Sequence, residues 1–241
     1  MTEEIQKLQD MIDESQSIVF FGGAGVSTES GIPDFRSQDG LYHMHYKYPP
    51  ETILSHSFFM QEGEEFWRFY KDKILVTAEP NPAHKKLAEL EEAGKLTTVV
   101  TQNIDGLHQK AGSKRVYELH GSALRNYCMG CGKFYDFDFV KAAEDVPHCP
   151  ECGRLIKPDV VLYEEGLDND TVTGAVRAIS QADMLIIGGT SLVVYPAAGL
   201  IDYFKGKYLV VINKSPTPRD RYADLLITDP IGEVFSQIRV G

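Results

Sequence analysis

The sequence predicts an α/β protein that has a doubly wound parallel sheet and a smaller, metal-binding lobe. Three observations support this prediction: short apolar runs rich in β-branched residues, amphipathic helical patterns between them, and four cysteines in two spaced pairs. A length of 241 residues has room for one large α/β domain with insertions.

Six short apolar runs predict buried parallel strands, because both faces of a parallel sheet are covered. These runs are residues 17–21, 96–100, 159–163, 183–188, 208–212 and 224–228. Helical patterns separate many of them. One pattern places Ile5, Leu8 and Ile12 on a single helix face. Two others begin at the capping residues Asn81 and Asp168. This alternation of strands and helices is typical of a doubly wound sheet.

Two stretches interrupt the alternation and predict a second domain. Residues 37–80 are rich in Tyr, His and Phe and contain an aromatic helix around residues 66–70, and residues 124–155 contain the cysteines. We therefore expect a small domain built from a helical insertion at 37–80 and a zinc-binding insertion at 124–155. The large domain would comprise residues 1–36, 81–123 and 156–241.

The cysteines predict a structural metal site. Cys128 and Cys131 form one Cys-x-x-Cys pair and Cys149 and Cys152 form another, with 17 residues between the pairs. This spacing is typical of zinc. Four thiolates complete a tetrahedral shell and leave no position for a substrate. Two disulfides or free buried thiols are the alternatives, and the lack of a secretory signal disfavours disulfides.

The charge balance and the N-terminus exclude several classes of protein. The chain has 24 Lys and Arg against 35 Asp and Glu, a net charge of −11. Such an excess repels phosphate backbones, so we expect no direct nucleic-acid binding. No segment approaches the roughly 18–20 continuous apolar residues of a membrane span, so no membrane partner is expected. Residues 1–14 are acidic and amphipathic, unlike a signal peptide, which favours a cytoplasmic location.

A glycine-rich segment follows the first predicted strand. Residues 22–27 read GGAGVS and lie between that strand and a predicted helix, where backbone amides can approach a phosphate. Thr28 stands where a dehydrogenase fingerprint has its third glycine, and no acidic residue ends a second strand about 20 residues on. An ordinary dehydrogenase is therefore disfavoured. The alternative is a glycine turn that only reverses the chain.

Five polar clusters lie at strand ends. One is the glycine segment that begins at Gly22, with residues 31–37 beside it, and three others begin at Thr101, Gly188 and Asn213. The fifth begins at Glu118, at the end of another short β-like run. Because an open α/β sheet binds its ligand at the carboxyl ends of its strands, the clusters would converge on one crevice. A single nucleotide site explains all of them together.

Several of these segments resemble the sirtuins, the NAD-dependent protein lysine deacylases. The segments are GAGVSTESGIPDFR, TQNIDGLH, ELHG, the paired Cys-x-x-Cys and GTSLVVYPAA, in this order, and the resemblance covers essentially the whole chain. It implies a Rossmann-like domain that binds NAD as co-substrate and a small lobe with one structural Zn²⁺. An acyl-lysine peptide would bind in the cleft between them.

The resemblance also implies which residues bind NAD. They would be Gly22, Ala24, Gly25, Ser27, Thr28, Phe35, Arg36, Gln102, Asn103, Ile104, Asp105, His120, Thr190, Ser191, Asn213 and Ile231.

Three of these residues, Asn103, Asp105 and His120, would be catalytic. The implied reaction needs no serine or cysteine nucleophile, because the acyl oxygen of the substrate attacks C1′ of the nicotinamide ribose and nicotinamide leaves. His120 would accept a proton through the ribose hydroxyls, a role that its reference pKa of about 6.5 suits. The alternative for His120 is a hydrogen-bonded core histidine.

Residues 159–164 resemble the family segment that pairs with the substrate peptide as an added strand. Val161, Leu162 and Tyr163 would contact the peptide. The chain departs from the family pattern here, with Leu162 where an aromatic residue is usual and Glu164 where glycine is usual. These departures leave the preference for flanking sequence open.

The implied acyl group is acetyl, with longer neutral chains left open. Family members that prefer succinyl or malonyl lysine use a Tyr-x-x-Arg motif. In this chain Tyr70 is followed by Lys73, which lacks the bidentate fork of arginine, and Asp72 would weaken its field.

Two other functions are compatible with parts of the sequence. Mono-ADP-ribosyl transfer would use the same NAD site. A non-enzymatic zinc ribbon that binds nucleic acid would use the cysteines alone, and the net charge of −11 disfavours it.

Overall fold

The computed structural model describes residues 2–34, 40 and 46–241. The strands, in chain order, are β1 (Ile18–Gly22), β2 (Leu96–Thr101), β3 (Val116–Glu118), β4 (Gly121–Cys128), β5 (Phe134–Asp136), β6 (Ile156–Val160), β7 (Met184–Gly188), β8 (Tyr208–Ile212) and β9 (Leu225–Ile227). Six of them form a parallel sheet in the order β3-β2-β1-β7-β8-β9. Numbered within that sheet alone, the order is 3-2-1-4-5-6, which is typical of doubly wound folds that bind dinucleotides.

The described helices include those expected around Ile5, after Asn81 and after Asp168. They are α1 (Glu3–Glu14), α2 (Pro50–Ile53), α3 (His56–Gln61), α4 (Gly63–Phe69), α5 (Pro82–Glu92), α6 (Leu107–Ala111), α7 (Phe137–Ala142), α8 (Asn169–Gln181) and α9 (Ile231–Ser236). The side chain of Asn81 caps α5 by accepting from the amide of Ala83, and Asp168 caps α8 through Thr171. Both predicted caps are confirmed. No helix in the described ranges is long and apolar enough to cross a membrane.

The central strand β1 separates two cores. Ile18 and Phe20 belong to the core that contains α1, α5 and α9. Val19 and Phe21 belong to the core that contains α8 and the 3-10 helix Ala197–Tyr203. Since successive side chains of a strand point to opposite faces, every residue of β1 is buried. The doubly wound prediction is therefore confirmed.

A second sheet of three antiparallel strands, in the order β5-β4-β6, forms the small lobe together with α2, α3, α4 and α7. The predicted aromatic helix supplies its core. Phe66, Trp67 and Tyr70 are at most 1% exposed, and the rings of Trp67 and Tyr70 meet edge to face at 5.3 Å. The small lobe thus has its own hydrophobic core.

The expected parallel strand at residues 159–163 is wrong. The strand there is β6, which ends at Val160 and pairs antiparallel with β4 in the small sheet. Burial alternates along β6, whereas every residue of the large-sheet strands β1 and β7 is buried. The sixth strand of the parallel sheet is instead β3. The division of the chain into two domains stays a prediction.

Candidate NAD and zinc sites

The carboxyl ends of five neighbouring strands lie in one row. The register of the parallel sheet aligns Glu118, Thr101, Gly22, Gly188 and Ile212 across it. Adjacent strands are about 4.8 Å apart, so the row spans roughly 19 Å. Each residue begins or directly precedes one of the predicted polar clusters. The structure therefore brings all five clusters to one edge of the sheet.

The glycine segment after β1 packs directly against the end of β7. The amide of Gly25 donates to the carbonyl of Gly189 at 2.8 Å, and a Cβ on Gly25 would lie 2.8 Å from Gly189 Cα. Gly189 has φ +57, and a Cβ there would lie 2.3 Å from the amide nitrogen of Val26. Neither position has room for a side chain. The sequence prediction named Gly25 for the site and missed Gly189, although both are needed for this approach.

The predicted helix after the glycine segment is wrong. Two short 3-10 turns, Ala24–Val26 and Thr28–Ser30, occupy its place, and Gly31 ends the second with φ +83. The amides of Val26 and Ser27 are used inside the first turn. Thr28 closes the segment by donating from its hydroxyl to the carbonyl of Gly25 at 3.0 Å. The loop is thus held by its own hydrogen bonds, and a helix N-terminus plays no part.

Three of the expected NAD-site residues form a continuous hydrogen-bond chain. Asn103 Nδ2 donates to Ser27 Oγ at 3.1 Å, and Ser27 Oγ donates to Asp105 Oδ2 at 2.7 Å. The other oxygen of Asp105 accepts from the amide of Leu107 at 2.9 Å. Ser27 and Asn103 are buried, so the chain has fixed geometry. It presents a carboxylate and an amide at the crevice.

Gln102 and Ile104 lie beside this chain. The backbone amide of Gln102 donates to the carbonyl of Gly22, and the carbonyl of Ile104 accepts from the backbone amide of Ala123 in β4. Gln102 Nε2 is buried and has no partner within the described ranges. A buried amide without a partner is costly, so its presence at this edge fits a polar ligand such as a nicotinamide or a ribose.

His120 follows β3 and has a defined tautomer. Its Nδ1 lies 3.0 Å from the carbonyl oxygen of Gln102. Since a carbonyl only accepts, Nδ1 carries the hydrogen and Nε2 of the neutral ring has a free lone pair. Burial lowers the pKa of His120 and the hydrogen bond to Gln102 opposes that shift. The ring is therefore neutral and able to accept a proton near pH 7.

The remaining expected NAD residues are distributed along the other half of the row. Thr190 is buried and its hydroxyl accepts from the amide of Leu192 at 3.2 Å, whereas Ser191 is half-buried. Asn213 follows β8 and donates from Nδ2 to the carbonyl of Ser215 at 2.6 Å. Ile231 begins α9 with its side chain in the core, 4% exposed, against Gly188.

Two expected residues, Phe35 and Arg36, lie outside the described residues.

The four cysteines are brought together in the small lobe. Their sulfurs all lie within 4.8 Å of one another, with 3.3 Å between Cys128 and Cys152 and 3.6 Å between Cys131 and Cys149. A disulfide bond is about 2.05 Å long, whereas tetrahedral zinc with bonds of about 2.3 Å spaces its sulfurs roughly 3.8 Å apart. The cluster therefore fits a structural zinc site.

A tyrosine supports the thiolate form of one ligand. The hydroxyl of Tyr135 lies 3.0 Å from Sγ of Cys149. This hydrogen bond is the main cause that lowers the pKa of the Cys149 thiol. Because metals bind thiolates, this hydrogen bond from Tyr135 to a cysteine of the cluster favours a zinc site over free thiols.

The expected peptide segment is hydrogen-bonded to His120. The amide of Val161 donates to the carbonyl of His120 at 3.0 Å. Tyr163 pairs with the small lobe, since its amide donates to Leu54 and its carbonyl accepts from His56, each at 3.0 Å. The side chain of Leu162 is buried in the small-lobe core, while Tyr163 is 40% exposed. The segment therefore joins the small lobe to the histidine.

A guanidinium bridge next to His120 was missed by the sequence prediction. Arg125 Nη1 contacts Glu118 Oε2 at 2.8 Å, and Arg125 Nε contacts Asp159 Oδ2 at 2.7 Å. Glu118 ends a strand of the large sheet, and Asp159 lies in β6 of the small sheet. The bridge thus fixes the two sheets on either side of His120. No spacing rule links these three positions in the sequence.

Two further histidines lie behind the crevice. His84 and His108 are buried, with ring centroids 4.8 Å apart. Burial lowers the pKa of His84 to about 4 and that of His108 to about 3. Both histidines therefore act as packing residues.

Comparisons with known proteins agree with this geometry. A model of the Sir2 family matches residues 23–196. Curated relatives named NAD-dependent protein deacetylase occur in Clostridium perfringens, 60% identical, and Clostridium acetobutylicum, 59% identical. Each alignment spans 242 residues and covers 99% of this chain and 99% of the relative.

Solved structures show the same similarity. Sir2 with a deacetylated p53 peptide and 3′-O-acetyl-ADP-ribose has a TM-score of 0.90 and 41% identity, covering 97% of this chain and 96% of that one. A Sir2 homologue in complex with NAD has a TM-score of 0.87 and 38% identity, covering 96% of this chain and 91% of that one.

Proposed function

This chain belongs to the Sir2 family, and we propose that it is an NAD-dependent protein lysine deacetylase with His120 as its general base. The reaction converts acetyl-lysine, NAD and water to lysine, nicotinamide and O-acetyl-ADP-ribose. The observation that carries the proposal is the single row of strand ends, where the Asn103–Ser27–Asp105 hydrogen-bond chain, Gln102 and His120 meet.

We assign NAD to the crevice along this row. NAD supplies an activated ribose carbon and a nicotinamide leaving group. The glycine segment would hold the pyrophosphate, because glycine residues let the backbone come close to a phosphate. Asn103, Asp105 and the free amide of Gln102 would orient the ribose and the carboxamide. Ser191 and Asn213 would contact the adenosine half.

His120 would move the proton. Its Nε2 lone pair is free because Nδ1 donates to Gln102. In the neutral form it can accept a proton from a ribose hydroxyl and strengthen that oxygen as a nucleophile. The hydrogen-bond chain of Asn103, Ser27 and Asp105 has fixed geometry and would position the ribose. Positioning is the main catalytic requirement of a reaction without a protein nucleophile.

The substrate would be an acyl-lysine peptide bound along residues 161–163. The amide of Val161 and the amide and carbonyl of Tyr163 are already hydrogen-bonded within the protein, so a peptide strand added here would find few free main-chain groups in these residues. A neutral acetyl group fits the small lobe better than an acidic acyl group. Tyr70 is 0% exposed in the aromatic core, and Lys73 pairs with Asp72 at 2.9 Å. The ammonium of Lys73 therefore already has an acidic partner, whereas the buried hydroxyl of Tyr70 has no partner within the described residues.

The structural zinc would keep the small lobe folded beside the crevice. The cysteine cluster has four ligands and therefore no open position for chemistry. We also expect no direct nucleic-acid binding, from the net charge of −11.

Mass analysis of the products tests the proposed reaction. The protein is incubated with NAD and matched acetyl-lysine and succinyl-lysine peptides. We expect nicotinamide, O-acetyl-ADP-ribose and free lysine from the acetyl peptide, with slower turnover of the succinyl peptide. A modified protein with intact acetyl-lysine would instead support mono-ADP-ribosyl transfer. Faster turnover of the succinyl peptide than of the acetyl peptide would overturn the conclusion that Tyr70 and Lys73 do not select an acidic acyl group.

A further inference from the structure

The turn after the peptide segment contains a glutamate in a backbone conformation that favours glycine. Glu164 has φ +77. It is the third residue of a turn in which the amide of Glu165 donates to the carbonyl of Leu162 at 3.0 Å. A positive φ at this position is usual for glycine or asparagine and strained for a residue with a longer side chain. A glutamate here therefore needs a reason.

The carboxylate of Glu164 is fixed by Ser57. Glu164 Oε2 accepts from the amide of Ser57 and Oε1 accepts from its hydroxyl, each at 2.9 Å. Both donors are neutral, so the negative charge of Glu164 is held in place and not cancelled. The residue is exposed, so this fixed charge faces solvent.

In the part of the chain that the structure describes, the other carboxylates of residues 159–165 are paired with cationic side chains, whereas Glu164 is not. Asp159 is paired with Arg125 at 2.7 Å, and Glu165 is paired with Lys157 at 3.0 Å. Within residues 2–34, 40 and 46–241, Glu164 has no cationic partner at ion-pair distance. An immobile, unneutralised carboxylate thus lies one residue beyond Tyr163.

We propose that Glu164 is a specificity-determining residue that selects acyl-lysine peptides with a second cationic side chain near the acylated lysine. The inference rests on the proposed function, because it takes residues 161–163 as the peptide-binding segment. A Lys or Arg beside the acyl-lysine would pair with the fixed carboxylate, and an acidic residue there would be repelled. Because Ser57 already immobilises Glu164, pairing requires little further ordering of this side chain.

The test compares peptides that differ at one position. Acetyl-lysine is placed among alanines, with a single Lys or Glu at either of the two positions before or after it. For wild type, we expect kcat/KM to favour Lys over Glu by about two- to fivefold at one or more positions, the range of exposed ion pairs. High ionic strength should reduce this ratio, a measurement that needs no variant.

Two variants separate the local charge from the overall charge. Glu164→Gln should bring the Lys-to-Glu ratio toward one, because it removes the charge and keeps the size of the side chain. Glu92→Gln removes a carboxylate at the end of α5, beside the amino-terminal end of β2, and should leave the ratio unchanged. Thermal unfolding of each variant verifies that it is folded.

The outcomes distinguish this inference from the proposed function. A wild-type ratio of one at every position, or an undiminished ratio in Glu164→Gln, would overturn the role of Glu164 while deacetylation itself stands. If no acetyl-lysine peptide is deacetylated in the presence of NAD, the proposed function fails and this inference fails with it.

Discussion

The hydroxyl of Ser27 donates a 2.7 Å hydrogen bond to the carboxylate of Asp105, although 78 positions separate the two residues in the chain. The bond is possible because β1 and β2 are neighbours and Gly22 pairs with Thr101 at their ends. It joins the glycine segment to the polar segment after β2. Two motifs that are separate in the sequence therefore act as one rigid site.

Ser27→Ala should weaken the NAD site without unfolding the protein. The change leaves one oxygen of Asp105 and the amide of Asn103 without a partner, at a cost of about 1.5–3 kcal/mol for a hydrogen bond to a charged group. We expect kcat/KM for NAD to fall about tenfold or more. Ser180→Ala is the matched control, because Ser180 makes a 2.9 Å hydrogen bond within α8 at the opposite end of the sheet. Equal effects of the two variants would contradict the role of Ser27.

His120→Ala should reduce deacetylation about a hundredfold or more, the range expected for loss of a general base. The hydrogen bond to Gln102 orients the ring, and the half-buried side chain follows β3 at the row of strand ends. Activity is measured with saturating NAD and peptide, and circular dichroism verifies the fold. Retention of most of the activity would remove His120 as the base.

The pH profile gives a second test of the same residue. Burial lowers the pKa of His120 below the ordinary 6.5. Because the neutral ring is the active form, activity should persist as the pH falls through 6.5 and decline only below it. The acidic limb of the kcat/KM profile should therefore have an apparent pKa below 6.5. An apparent pKa of 6.5 or above for the acidic limb would show that burial does not lower the pKa of His120.

The fold and the zinc ligands could be predicted from the sequence because each depends on local information. Apolar runs such as residues 18–22 are buried on both faces, and Cys-x-x-Cys pairs leave few alternatives. Residues 159–163 misled the prediction because a short apolar run has no feature that distinguishes a parallel strand from an antiparallel one. The pairing of β6 is decided by its contacts with β4, a strand that is distant in the sequence.

The site was predicted in composition but not in geometry. The motifs indicated Ser27, Asn103 and Asp105, but not the hydrogen-bond chain through them. The contact between Gly25 and Gly189 and the positive φ of Glu164 depend on tertiary packing. Such features have no signature in a single sequence, because they depend on residues that are distant in the chain.

Removal of zinc should destabilise the small lobe. The four cysteine sulfurs fit one ion, and a structural metal contributes directly to the free energy of folding. A loss of a few kcal/mol corresponds to a fall in Tm of about 10 °C at this chain length. The measurement is thermal unfolding before and after chelation, with elemental analysis to verify metal loss and zinc added back as the control. An unchanged Tm after verified loss would contradict a structural site.

The buried histidines should make the protein less stable in mild acid. Burial lowers the pKa of His84 to about 4 and of His108 to about 3, so the unfolded chain takes up protons below pH 6.5 before the folded protein does. The free energy of unfolding should then fall by up to about 1.4 kcal/mol per pH unit for each histidine between pH 6.5 and about 4. Urea unfolding at several pH values measures this slope. His108→Phe should make it shallower, and an unchanged slope would contradict the assignment.

The coupling of nicotinamide release to lysine deacetylation tests the account most directly. Wild-type protein is mixed with an acetyl-lysine peptide and NAD, and both products are counted over time. The account predicts one nicotinamide for each lysine freed, with neither product formed when NAD or the acetyl group is omitted. Deacetylation without NAD, or nicotinamide release with the acetyl-lysine intact, would contradict it.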